Sequence, residues 1–156
     1  MPNRMIFLLM PLLLVGCPAV DLRELNFTRN KPTIEDLVGT WTPDSKSRGD
    51  IKTRGSYINA NPEVILRADG SFSIRQMPDW WSSGTGESKG TLESLDGQWS
   101  LRRDKNIWDI WTLNLKTPDL ITSIHLYRQK PPYALFIGVG DPNDAHVMFF
   151  ERLNQP

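Results

Sequence analysis

From residue 38 onward the chain alternates apolar and polar positions in short runs, each closed by residues that favour turns. A period of two marks a strand with one face buried and the other in water. Val64 and Leu66 share one side of a run over 63–67, and Phe72 and Ile74 share one side of a run over 71–76. Between them, Ala68-Asp69-Gly70 puts a glycine where a tight hairpin needs positive φ. Trp99 and Leu101 alternate inward in 98–103, Asp104-Lys105-Asn106 turns, and 108–116 pairs back. Runs over 122–129, 134–139 and 147–153 follow, and Gly39-Thr40-Trp41-Thr42 opens the series. The spacing, roughly ten residues from strand to strand, predicts an all-β fold. Sequential hairpins favour a small antiparallel up-and-down barrel of about eight strands, because closure removes the edges of a lone sheet. A two-sheet β-sandwich is the alternative. Ahead of the first strand, Thr33 can cap one helical turn through Ile34, Glu35, Asp36 and Leu37, with Asp36 placed to form a capping box.

Two stretches break this pattern. In 108–116, Trp111, Leu113 and Leu115 share a face while Trp108 and Ile110 lie on the other. A soluble barrel should be polar outside, so either a bulge flips the register or an apolar patch marks a partner surface. The second is "DWWSSGTGESKG", over 79–90, a connection longer than a hairpin needs. Long connections are often lids. Gly84, Gly86 and Gly90 would make it mobile, and Trp80 and Trp81 give it apolar surface. The expectation is that it gates one barrel mouth and that the two indoles touch whatever enters. The alternative is that both cap that end as core.

The N-terminus has a different logic. Arg4 precedes a mostly apolar run from Met5 to Val15, the length of a signal-peptide core and about half of what a bilayer-spanning helix needs. Leu14-Val15-Gly16-Cys17 resembles the lipobox of bacterial lipoproteins. That resemblance implies cleavage before Cys17, the only cysteine in the chain, and its acylation. Several acyl chains would anchor the protein stably, at about 0.8 kcal/mol per buried CH2. The organisation expected is a lipoprotein signal peptide over 1–16, the lipidated cysteine and a tether over 17–32, and one domain over 33–156. Pro18 after the cysteine is not the aspartate that signals inner-membrane retention, so the expected location is the outer membrane, facing the periplasm, in a Gram-negative cell.

Charge excludes more than it suggests. The chain has 18 basic and 18 acidic residues, and loss of Arg4 with the signal leaves one net negative charge, so nucleic acid is not an expected partner. Lys46, Arg48, Lys52 and Arg54, diluted by Asp44 and Asp50, read as a solvated loop. The two histidines, His125 and His146, have no metal-ligand spacing, and no GxSxG elbow is present. Asp141, Asn143 and Asp144 in "GDPNDAH" read as a turn, lacking the distal glutamate of a calcium loop. No catalytic residue, metal or cofactor is expected.

Gly39-Thr40-Trp41 after a short helical turn, followed by "LRADGSFS", "GQWSL" and "PPYALFIGVGDPNDAHVMFFERL", resembles the calycin and lipocalin-like superfamily over most of 37–153. The resemblance is to small secreted or lipid-anchored bacterial proteins with lipocalin-like domains. It implies closure of the barrel between the strand of Trp41 and the last strand, with Gly39 and Trp41 as structural residues and Arg152 covering the Trp41 ring. It implies no reaction. The leading expectation is a non-enzymatic, membrane-anchored envelope lipoprotein that binds a small apolar or amphipathic ligand in its barrel, against Trp80, Trp81, Trp111, His125 and Tyr127. The alternative is a protein-interaction module, an inhibitor or envelope scaffold, with a filled core.

Overall fold

The computed structural model describes residues 26–53, 57–83, 87–105, 109–139 and 146–153. The expected signal peptide, Cys17, most of the expected tether, Arg54, Gly84, Gly86, Asn106, Trp108 and the expected turn at Asp141, Asn143 and Asp144 lie outside them.

Eight antiparallel strands close a barrel in sequence order. They are β1 (Gly39–Pro43), β2 (Glu63–Leu66), β3 (Ser71–Pro78), β4 (Leu92–Asp104), β5 (Ile110–Lys116), β6 (Ile121–Tyr127), β7 (Ala134–Gly138) and β8 (Val147–Arg152). Closure is made by β1 against β8, with Trp41 opposite Arg152 and Pro43 opposite Phe150. The up-and-down order therefore holds, and the sandwich does not form. The β2–β3 hairpin turns as its residues require: Gly70 has φ +81°, and its N–H donates to the Arg67 carbonyl.

Buried side chains point inward from all round the barrel. Trp41, Leu66, Ile74, Leu113, Leu135 and Phe150, from six strands, are each at most 1% exposed, and Trp99 and Leu126 add β4 and β6 to the same core. One barrel end is capped by α1 (Ile34–Leu37), whose Leu37 is fully buried and whose Thr33–Asp36 capping box forms in full. The Leu37 carbonyl accepts the Trp41 indole N–H at 2.9 Å, which ties this cap to the first strand.

The other end is closed by the long β1–β2 and β3–β4 connections. The first carries α2 (Ser45–Thr53), a correction to the solvated loop expected around Lys46, Arg48 and Lys52. Asp44 caps it, accepting from the Ser47 N–H at 2.7 Å, and Ile51 turns inward at 1% exposure. The charges drew the reading toward a loop, but they occupy only the outer face of this helix, while Ser47 and Ile51 are buried beneath it. Ser47 Oγ accepts the Phe149 N–H, docking α2 on β8.

A second correction concerns the tether. Within the expected 17–32 segment, residues 26–29 already belong to the barrel. Thr28 N–H donates to the Leu126 carbonyl, Trp111 N–H donates to the Thr28 carbonyl, and Arg128 N–H donates to the Asn26 carbonyl. The β5–β6 ladder ends at Thr112 opposite His125. Beyond it the N-terminal segment lies between the two strands, with Phe27 bridged to Tyr127. The ordered domain thus begins at least seven residues before Thr33.

Candidate functional site

The five side chains expected to meet in a ligand cavity are distributed over three places. Trp80 and Trp81 lie in a single 3-10 turn, Asp79–Trp81, at 2% and 8% exposure, within the core cluster. Trp111 is half-buried against that core, with the Lys31 ammonium 5.6 Å from the centre of its ring. His125 and Tyr127 project from the opposite face of their strand to Ile124 and Leu126, and so lie on the outer wall. No single cavity collects them.

What fixes the tryptophan turn is a buried carboxylate that the sequence reading passed over. Asp79 is 6% exposed and accepts four hydrogen bonds. Its Oδ1 takes the Tyr57 hydroxyl at 2.5 Å, and its Oδ2 takes the Lys89 N–H, the Thr91 N–H and the Thr91 hydroxyl at 2.9, 3.1 and 2.8 Å. The Tyr57 bond, with those from Thr91 and Lys89, outweighs desolvation and lowers the Asp79 pKa to about 2. Burial, reinforced by the same carboxylate, pushes the Tyr57 hydroxyl up. The Tyr57 ring meets Trp80 edge-on at 6.4 Å. Trp81 donates to Glu93 Oε2 at 2.9 Å, and Ser82 Oγ donates to the same carboxylate. Together these bonds sew residues 57, 79–82 and 88–93 into one plug across the barrel end.

Gly39, Trp41 and Arg152 converge at the opposite end. Gly39 has φ +143°, a conformation costly for other residues, and a Cβ there would stand 2.8 Å from Arg152 Nε. Arg152 directs its Nη1 to the carbonyls of Glu35 and Asp36 at 3.0 and 3.2 Å. That places a cation over the C-terminal end of α1, where helix carbonyls need partners. A groove of about 460 Å³ lies here, lined by Asp36, Trp41, Tyr133 and Arg152 with neighbouring prolines.

The outer wall is divided by chemistry. On β3 and β4 the outward positions past Leu92 are mostly polar: Arg75 pairs with Asp96 at 2.7 Å and Ser73 donates to the same carboxylate at 2.6 Å. On β6 to β8, the register places His125 beside Phe136 and Phe136 beside Phe149, on the outer face with Tyr127. Phe27 is 3% exposed and stacks on His125, Tyr127 and Phe136 with centroids 5.3, 6.2 and 5.1 Å away. Phe136 and Phe149 continue the array at 5.5 Å, and Tyr127 meets Phe149 at 5.0 Å. Burial among these rings lowers the His125 pKa, Asp104 opposing only in part, so the imidazole is neutral near pH 7. Phe136 and Phe149 carried a readable signal: in "ALFIG" and "VMFF" consecutive apolar residues fall on both faces of one strand.

Among the described residues, no three His, Cys, Asp or Glu side chains gather as a metal site would require. No helix among them is long and apolar enough to cross a membrane. The class these features define is a closed, eight-stranded, all-antiparallel up-and-down β-barrel, consistent with a lipocalin-like fold. The chain matches no known protein family and no curated protein sequence.

Proposed function

We propose that this chain is a non-enzymatic lipoprotein of the cell envelope, anchored through Cys17, whose barrel acts by its outer surface as an interaction module and not as an internal carrier. The observation that carries the reading is the shared core: inward side chains from every strand belong to one buried cluster, and both tryptophans of the long connection are part of it. A lipocalin-like carrier needs an open calyx, and fold alone assigns no ligand. The lipobox resemblance supports the anchor, and the aromatic outer wall supports a surface role.

Native mass spectrometry of the protein from its own host, combined with titration of an apolar fluorescent probe, tests this. The expected result is three acyl chains on Cys17 and no saturable probe binding in the interior. A co-purifying small apolar molecule, released only on unfolding, would restore the carrier reading. The groove of about 460 Å³ beside Tyr133 and Arg152 is the observation that favours a small-ligand alternative, at the barrel end and not inside it.

A further inference from the structure

The outer wall of β6 to β8 is largely apolar and aromatic, running from Ile121, 67% exposed, past Ser123, Phe136 and Phe149 to Tyr127. Its one strand carboxylate, Glu151, is neutralised by Arg128 at 2.6 Å. The wall of β3 and β4, set apart from it by β5 on one side and by β1 and β2 on the other, is built instead from Arg75, Ser73 and Asp96. This asymmetry is unexpected for a barrel in free solution, where outward strand positions are polar all round.

We propose that the β6–β8 wall lies against the surface of the bilayer to which Cys17 is anchored. This rests on the lipoprotein reading above. Two observations select the membrane as occupant. The N-terminal segment joins the barrel at this wall, with Phe27 seated among its rings and Asn26 bonded to Arg128. Eight residues lie between Cys17 and Asn26, so the nine steps at full extension give at most about 30 Å of chain, comparable to the width of a small domain. The wall is therefore held within reach of lipid at a high effective concentration, whereas a protein partner would have to be recruited. The chemistry suits the headgroup boundary: tyrosine and histidine present apolar bodies with polar tips, and exposed Arg29, Lys31 and Lys130 stand where the segment enters. The partly exposed rings pack on one another in edge-to-face arrays and offer a pre-ordered surface.

The chain's only cysteine is consumed by the anchor, so a second one can be labelled selectively in the full, acylated protein. Ile121→Cys places a fluorophore at the end of the wall far from the tether, and Ser100→Cys places one on exposed β4. Both variants are reconstituted in vesicles of phosphatidylethanolamine and phosphatidylglycerol containing a nitroxide-bearing lipid. Quenching at 121 should be several-fold stronger than at 100, with a blue shift at 121 alone. Equal quenching at the two positions in an acylated chain overturns the docking while leaving the anchor intact. Crosslinking of two copies through position 121 overturns it in favour of a dimer. A chain without acyl groups that floats free of vesicles overturns the lipoprotein reading and the docking with it, and mass measurement tells that failure from the others.

Discussion

Asp79 shows how one side chain can hold a region that hydropathy marks only as a loop. It is an acid between Pro78 and two tryptophans, and nothing in its spacing announces Tyr57, Lys89 and Thr91 as partners. Those contacts are made across 22, 10 and 12 residues, so they exist only once β2, β3 and β4 are paired. Linkage then fixes the sign of its pH dependence. The folded-state pKa is depressed from 3.8 to about 2, so its contribution is complete above about pH 4 and is lost as pH falls from there toward 2. In Asp79→Asn the amide oxygen can still accept from Thr91 and Lys89, and its NH2 can donate to the Tyr57 oxygen, but the charge is gone. The variant should be less stable than the parent at pH 7, with the gap narrowing steadily below pH 4. Urea midpoints at pH 7 and pH 2.5 check this, and an unchanged gap would remove the carboxylate from the account. Gly39 is the contrasting case, because it was legible: the glycine before a strand tryptophan was expected to be structural, and its positive φ supplies a reason. What the tripeptide could not show is the use of Arg152, which binds the end of α1 through the Glu35 and Asp36 carbonyls.

At the scale of elements, strand alternation was readable where the faces differ and misleading where they do not. β2 and the start of β3 appear where Val64, Leu66, Phe72 and Ile74 placed them. β4 was expected over 98–103 and runs Leu92–Asp104. Its first turn of pattern is inverted, with Leu92 46% exposed and Glu93 drawn inward to bond Trp81 and Ser82. A strand end that pairs a carboxylate with an indole reads as loop. Likewise β3 continues to Pro78 past a register shift between Ile74 and Met77, at Gln76 with φ +50°. That irregularity turns Met77 into the core and feeds the chain into the tryptophan turn. Of the lid expected over 79–90, the described residues 79–82 and 88–90 belong to a plug for the same reason. Truncating either indole should therefore act on stability first: Trp80→Ala is expected to cost about 3–5 kcal/mol by chemical denaturation, the range for a large aromatic removed from a core. Trp81→Ala should follow it, with Glu93 losing a donor as well. A thermal midpoint unchanged in both variants would return these residues to the role of a mobile gate.

For the whole molecule, the consequential difference between reading and structure is where the domain begins. Residues 18–32 have no sustained period, start and end on proline and mix charges, which suits a linker. Four of them nonetheless complete the barrel, because the outer faces of β5 and β6 leave positions that water disfavours. Ile110 and Thr112 point outward and are 1% and 2% exposed, and Phe27 is 3% exposed. The expected apolar patch at Ile110 is thus neither a bulge nor open surface. The anomaly was visible in the sequence, but its partner lay some eighty residues upstream in a segment with no pattern of its own. This makes the N-terminal segment part of the folding unit and sets a definite expectation. A chain beginning at Asn26 should unfold cooperatively with the stability of the same domain in the full chain. One beginning at Thr33 loses the Phe27 side chain and the backbone bonds to Leu126, Trp111 and Arg128. Burial of the phenylalanine alone is worth about 2–3 kcal/mol, so the shorter chain should unfold at a clearly lower urea concentration. Its Trp111 amide, whose acceptor is the Thr28 carbonyl, should exchange with deuterium far faster than in the longer chain. If both chains unfold together and that amide stays protected, the segment is a tether throughout, and the wall it marks has no fixed relation to the proposed anchor.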